Sequence, residues 1–230
     1  MKKIALIISL VVFVVLAGNA QDKTLRYGLK LGPTMDWVSA GATVVGNEGL
    51  GMGWGCGIVT NMYYTEHIAF SSGLNFNVLG MRYQFVDKRV TQNFLEESEV
   101  SVSRRLKAAN ISIPLRAKVR MDVVDSWKAY VEIGADLGLN LTDEAKDKYE
   151  FYNVAYEDES YVNCRNQYRW FQSAIVFGVG AEFEINRKLS LFAQLTFNHA
   201  FVNAFTREME RKTGSIVYNN FVGLEVGFLH

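Results

Sequence analysis

The sequence predicts an all-β fold, an eight-stranded antiparallel up-and-down transmembrane β-barrel, and three observations carry that reading. Apolar and polar residues alternate with period two along segment after segment. The connections between those segments are short and long in turn. An export signal stands in front of them. Side chains on a strand point to opposite faces, so this alternation marks a sheet with one apolar and one polar face. A barrel that crosses a bilayer needs the pattern all the way round, because hydrocarbon offers no partner for unpaired backbone groups.

The clearest element is the hairpin from Asn110 to Asn140. Ile111, Ile113, Leu115, Ala117, Val119 and Met121 alternate with Asn110, Ser112, Pro114, Arg116, Lys118 and Arg120. After a tight turn at Asp122–Ser126, Val131, Ile133, Ala135, Leu137 and Leu139 alternate with Tyr130, Glu132, Gly134, Asp136 and Gly138. Six further strands are expected near Leu25–Asp36, Gly51–Tyr64, Ile68–Phe85, Trp170–Ile185, Leu189–Phe201 and Ile216–Leu229. Short links fall at Thr65–His67, Asp122–Ser126 and Asn186–Lys188. Long ones fall at Trp37–Leu50, Val86–Lys107, Leu141–Arg169 and Val202–Ser215. Short periplasmic turns, long outer loops and an even strand number belong to outer-membrane barrels, so both termini are expected in the periplasm. Aromatic girdles are expected from Trp37, Tyr83, Phe85, Trp170 and Phe205 outside, and from Tyr63, Tyr64, Trp127, Tyr130 and Phe228 inside.

Residues 1–20 read as a cleaved signal peptide, with Lys2 and Lys3, an apolar run and a Gly18-Asn19-Ala20 end. Residues 21–230 read as one barrel domain, and removal of the two lysines takes its formal charge from zero to −2. Neither sign dominates, which argues against a nucleic-acid partner. The partner expected from composition is outer-membrane lipid, with an envelope protein or an extracellular partner reached through the outer loops.

The resemblance to a known family rests on Ile113-Pro114-Leu115 followed by basic residues, the Gly178-Val179-Gly180-Ala181-Glu182-Phe183 run and the Gly223-Leu224-Glu225-Val226-Gly227-Phe228 ending. With the Tyr- and Gly-rich fifth strand, these resemble PorT-like outer-membrane β-barrel proteins over residues 21–230. The resemblance implies an eight-stranded barrel and no single activity. Some members of that family support protein secretion across the envelope. No catalytic residue carries over.

Candidate sites follow from the faces. An eight-stranded ring encloses only enough room for side chains. Its inward set includes Lys30, Arg116, Lys118, Glu132, Asp136, Glu182 and Glu225, with Arg26, Arg120 and Glu184. Charges of both signs in a narrow lumen are expected to pair, Arg116 with Glu132 and Lys30 with Glu225. The third outer loop carries Tyr149, Phe151, Tyr152, Tyr156 and Tyr161, which suit partner contact. Its seven carboxylates lack EF-hand spacing and read as a solvated loop. The Gly51, Gly53, Gly55, Gly57 run reads as a bare strand face rather than a phosphate loop. His199 reads as a girdle residue; a lipid-modifying hydrolase would need a serine within its reach. No cofactor and no metal site is expected, nor a Cys56–Cys164 disulfide. The functional expectation is a non-enzymatic barrel acting through its loops or periplasmic face in envelope integrity, adhesion or secretion support. A lipid-modifying enzyme and a secreted carrier of a small ligand are the alternatives.

Overall fold

The computed structural model describes residues 25–40, 45–90, 97–151, 154–157, 161–186 and 188–230. The expected signal peptide and Tyr152 lie outside them. Among the described residues eleven strands form in the order β1 (Leu25–Ala40), β2 (Val45–Asn47), β3 (Gly51–Tyr63), β4 (Ile68–Val90), β5 (Glu97–Val124), β6 (Trp127–Phe151), β7 (Val154–Glu157), β8 (Val162–Asn163), β9 (Phe171–Glu184), β10 (Ser190–Ala200) and β11 (Val217–Leu229). Eight of them close a ring by antiparallel pairing: β1, β3, β4, β5, β6, β9, β10, β11 and back to β1. The seam is a ladder in two runs, Gly28 to Leu31 against Leu229 to Val226 and Thr34 to Ala40 against Gly223 to Val217, interrupted at Gly32 and Pro33. A Cβ on Gly28 or Gly32 would stand 1.7 or 1.8 Å from a β11 carbonyl oxygen, so the seam requires glycine at both positions.

The tight turns are held by their own side chains. Thr65 Oγ1 accepts from the amides of His67 and Ile68, and Asn186 Oδ1 accepts from those of Lys188 and Leu189. Asp125 and Ser126 make the two-residue turn between β5 and β6.

From Leu25 to Asp36 the side chains of β1 are exposed and buried in strict alternation. Leu25, Tyr27, Leu29 and Leu31 face out, while Arg26, Lys30, Thr34 and Asp36 are buried. The expected strands are present, but β4, β5 and β6 run far past their expected ends. Most of Val86–Lys107 and the first part of Leu141–Arg169, expected as loops, are strand. The three project beyond the ring as an outer storey, which β2, β7 and β8 extend.

In that storey the polarity turns inside out. Below the level of Asn110, β5 shows Ile111, Ile113 and Leu115 outward and Ser112, Arg116 and Lys118 inward. Above it Lys107, Arg105 and Ser103 face out, and Ala108, Leu106 and Val102 are buried. Strand β4 does the same: Ser71 and Asn75 are buried below, Leu79, Met81, Tyr83 and Phe85 above. Strand β6 changes phase at a bulge: Asn140 still pairs with Asn110, but Thr142 pairs with Ala109. Leu141 is the residue passed over, and beyond it Asp143, Ala145 and Asp147 face inward. The lower storey therefore suits hydrocarbon, and the upper one suits water around an apolar core.

A segment from Phe201 to Ile216 folds over the open end and carries helix α1 (Arg207–Thr213). It was expected as a loop only. Helix α1 stops at Gly214, which takes the left-handed φ of 63°. Phe205 and Met209 drop into the core of the outer storey among Val38, Tyr83, Leu106, Tyr168 and Val217. Asn203 Oδ1 accepts from the amides of Phe205 and Val217, and Arg169 Nε donates to Phe205 O, so the segment is tied down at both ends. Tyr83, Phe85 and Phe205 are thus core residues and not the outer girdle expected of them. Tyr63 and Tyr130 likewise turn into the lumen. Trp37, Trp170, Tyr64, Trp127 and Phe228 keep outward positions.

Candidate functional site

The lumen is filled from end to end by side chains that the strand register brings together. At the turn end Tyr130, Phe192 and Leu229 form an apolar plug. Glycine makes room for it: a Cβ on Gly180 would stand 2.6 Å from the Tyr130 ring, and one on Gly227 2.7 Å from Phe192.

A charged layer surrounds the plug and extends to both sides of it. Lys118 sits opposite Glu132 across the β5–β6 ladder, and Arg116 sits opposite Gly134. The register expected from the hairpin was therefore two residues off. Arg116 reaches both ways from that position, to Glu132 Oε2 at 3.4 Å and to Asp136 Oδ2 at 3.0 Å. Lys118 bonds Glu182, stands 3.7 Å from Glu132 Oε1, and lies 3.7 Å from the centre of the Tyr130 ring. Arg120 Nη1 is 3.7 Å from Glu182 Oε2. Across the seam Lys30 Nζ donates to Glu225 Oε2 at 2.9 Å. Arg26 and Lys128 share Glu184 at 3.7 and 2.8 Å. Desolvated charges persist where several opposite partners and hydrogen bonds meet them, and most of these groups have two.

A polar layer follows, in which Asn75, Asn110, Ser112, Asn198 and Asn219 are buried. The bare face of β3 serves this layer, since Cβ atoms on Gly55 and Gly57 would meet Asn77 and Asn75 at 2.3 and 2.7 Å. Three voids lined by lumen residues measure about 10, 30 and 10 Å³. They hold a water or two and no larger ligand. The apolar core of the outer storey closes the top.

The loop residues singled out for contact divide. Tyr149 and Tyr156 face each other in the β6–β7 ladder, with Phe151 one step beyond opposite Val154. Tyr161 is half-buried, and the Lys107 ammonium lies 4.3 Å from its ring centre. The carboxylates of this segment are split by the strand: Asp143 and Asp147 face in and Glu144 faces out. Asp147 receives Arg104 through two bonds of 2.6 Å. Burial pushes the Asp143 carboxyl up to about 6 against the pull of Arg165. Cys56 is exposed on the outward face and Cys164 is buried in the outer storey, both as free thiols. Burial pushes the Cys164 thiol up to about 12, so it is inert as a nucleophile.

One constellation was missed in the sequence because it spans three strands. His199 Nδ1 lies 2.6 Å from Asn220 Oδ1, and Asn220 Nδ2 donates to Ser39 Oγ at 2.8 Å. Serine, asparagine and histidine at a lipid-facing rim resemble the parts of a hydrolase. The order is wrong for one. The amide stands between serine and imidazole, whereas the base must take the serine proton itself. The imidazole stacks at 3° on Phe197, as suits a rim aromatic.

The match that decides the family is to the outer membrane protein beta-barrel domain, over residues 19–206. The chain belongs to that family. This outer-membrane barrel is also similar to solved structures. Neisserial surface protein A is 10% identical at a TM-score of 0.41, covering 90% of this chain and 98% of that one. The outer membrane protein OprG of Pseudomonas aeruginosa is 9% identical at 0.38, over 90% and 95%. The outer membrane protease OmpT of Escherichia coli is 9% identical at 0.37, over 93% and 99%. No curated protein sequence matches it.

Proposed function

We propose that this outer-membrane barrel is a non-enzymatic, non-conducting platform that binds a partner through its outer storey. The service is envelope integrity, adhesion or secretion support, and the class is that of the PorT-like barrels it resembles. The observation that carries the reading is the filling of the lumen: apolar plug, charge layer, polar layer and capped core leave voids of about 10, 30 and 10 Å³. With the interior occupied, the surfaces that remain for function are lipid-facing or aqueous. The outer storey is a stiff presentation of the latter, three long strands with the β6–β7 ladder at its rim. Tyr149, Phe151, Tyr152, Tyr156 and Tyr161 are the contact candidates.

Photocrosslinkers placed at Tyr149, Tyr156 and Tyr161 in intact cells test this. A discrete adduct from these sites, and none from Glu66 or Ser126, is expected. Adducts confined to the tight turns would move the partner to the periplasmic side. The purified monomer is expected to hold no conductance in a planar bilayer, and a stable pore overturns the reading. The His199–Asn220–Ser39 chain gives the enzymatic alternative its own test. Phospholipid hydrolysis that disappears in Ser39→Ala and His199→Gln would establish it in place of the platform.

A further inference from the structure

Asn220 is a buried asparagine on the outer wall. It shares a rung with His199 and Trp37, whose side chains face outward, yet it is only 1% exposed. Its bonds leave one orientation for the amide. Nδ2 donates to the Tyr218 carbonyl oxygen at 3.4 Å and to Ser39 Oγ at 2.8 Å. A carbonyl oxygen can only accept, so the amide nitrogen lies on that side. Oδ1 therefore faces His199 Nδ1, 2.6 Å away, and accepts its proton. The neutral imidazole then carries its lone pair on Nε2. His199 is exposed, and no group among the described residues bonds Nε2.

The order that fails for a hydrolase is the order of a prepared ligand. A histidine that binds a metal gives its other ring N–H to a carbonyl or carboxylate, which fixes both tautomer and ring. Here Nδ1 donates to a side-chain carbonyl, and Ser39 and Tyr218 hold that carbonyl in turn. Among the described residues no group of three His, Cys, Asp or Glu gathers to hold a metal ion. A bare ion bound at His199 would have a single protein ligand, too few for a zinc-type site. An iron porphyrin needs no more than that, since the macrocycle supplies the equatorial ligands and the protein only an axial one. The surroundings suit its flat apolar face. Phe197 lies parallel to the imidazole at 3°, with ring centres 6.5 Å apart, and Tyr218 lies 6.3 Å from it on the other strand. Trp37 stands 6.1 Å from Phe197. Phe197 and Phe201 are 42% and 51% exposed. A ring system with an apolar body and a polar edge belongs at this height.

We propose that the outer rim seats a ferric porphyrin on His199 Nε2. The imidazole replaces a solvent ligand on the iron through a dative bond, so no electron or proton changes hands. The macrocycle lies over Trp37, Phe197, Phe201 and Tyr218 with its propionates turned to water. Asn220 is a positioning residue: it holds the tautomer and the ring, and it does not touch the ligand. This site goes beyond the platform and shares no residue with the contact surface of the outer storey, so either reading can fail alone.

The test uses the full barrel refolded in neutral detergent and titrated with hemin, iron-free protoporphyrin and zinc chloride. Hemin is expected to bind once per barrel and to shift its Soret band to that of a histidine-ligated ferric haem. His199→Ala abolishes the shift. Asn220→Leu, with His199 intact, lowers affinity at least about tenfold. His67→Ala/His230→Ala leaves both band and affinity unchanged. One comparison needs no variant to fold. Iron-free protoporphyrin shares the macrocycle and lacks the metal, so it neither displaces hemin nor saturates at one per barrel. Equal binding of the iron-free ring would mean adsorption on an apolar wall and would overturn the assignment. A Soret shift that survives in His199→Ala, undiminished affinity in Asn220→Leu, or displacement of hemin by an equal concentration of zinc would overturn it too.

Discussion

Lys30 and Glu225 join the first strand of the ring to the last, so their ion pair reports on closure as well as on the lumen. The pair is hydrogen-bonded at 2.9 Å, and the two side chains are 7% and 17% exposed. Lys30→Met leaves a carboxylate, and Glu225→Met an ammonium, without the partner it bonds. Stranding one member of a buried pair costs about 3–5 kcal/mol. The partial exposure of Glu225 lets water reach it, which brings each single change to about 2–4 kcal/mol. The double variant loses both charges together and should fall within about 1 kcal/mol of the parent. The coupling energy is then at least about 2 kcal/mol. Urea titration of the barrel refolded in phospholipid vesicles, followed by tryptophan fluorescence, measures all four corners of the cycle. A double variant that loses the sum of the two single losses, within about 0.5 kcal/mol, would refute a dry charge network and indicate a hydrated lumen.

The reversal of polarity predicts opposite rules in the two storeys: Leu137→Arg costs about 2–4 kcal/mol by facing lipid. Leu106→Arg, in the outer storey, costs about 3 kcal/mol by entering an apolar core. Equal tolerance of arginine at Leu106 and at outward Ser103 would show that the storey has no core. Phe205→Ala empties the centre of the cap, costs about 3–5 kcal/mol and exposes the segment 201–216 to protease on intact cells, still without conductance because the charge layer is untouched. Asp143 gives a pH dependence: its carboxyl sits near 6 when folded, through burial partly offset by Arg165, against about 3.9 unfolded. The folded chain holds that proton more tightly, so the penalty is absent below about pH 4, grows between about pH 4 and 6 and is complete above about 6. Asp143→Asn should therefore be more stable than the parent at pH 7.5 by about 1–2 kcal/mol, and not at pH 3.5; a gap of one size at both pH values in thermal unfolding refutes it.

The membrane storey was legible because its signal has a single phase. From Ile111 to Met121 every odd residue is apolar, and the fold buries residues between them such as Arg116 and Lys118. The outer storey was misjudged as loop for a physical reason. The alternation continues there with its phase inverted: Val102, Leu106 and Ala108 are apolar at even positions, and Ser103, Arg105 and Lys107 are polar at odd ones. A reading that follows one apolar face ends the strand where that face changes solvent. Tyr83 and Phe85 were assigned to a girdle by the same error. The Arg116–Glu132 register slipped because a hairpin folded on paper fixes partners only to within two residues, while the long side chains reach diagonal neighbours. The His199–Asn220–Ser39 chain was not legible, since it depends on how β1, β10 and β11 meet.

The inverted polarity also dictates the order of assembly. A finished outer storey, with Arg105, Lys107 and Glu144 on its outside, cannot be pushed through hydrocarbon as a folded body. Its strands must cross as open hairpins while the ring below them is still unclosed. The cap draws on residues of β1, β4, β5 and β11, among them Val38, Met81, Leu106 and Val217, so it has nothing to pack against until those strands stand together on the far side. Seating of Phe205 and Met209 is thus the closing step of folding. A hairpin that stalled midway would leave them exposed, and the barrel would carry on its surface a visible mark of incomplete insertion.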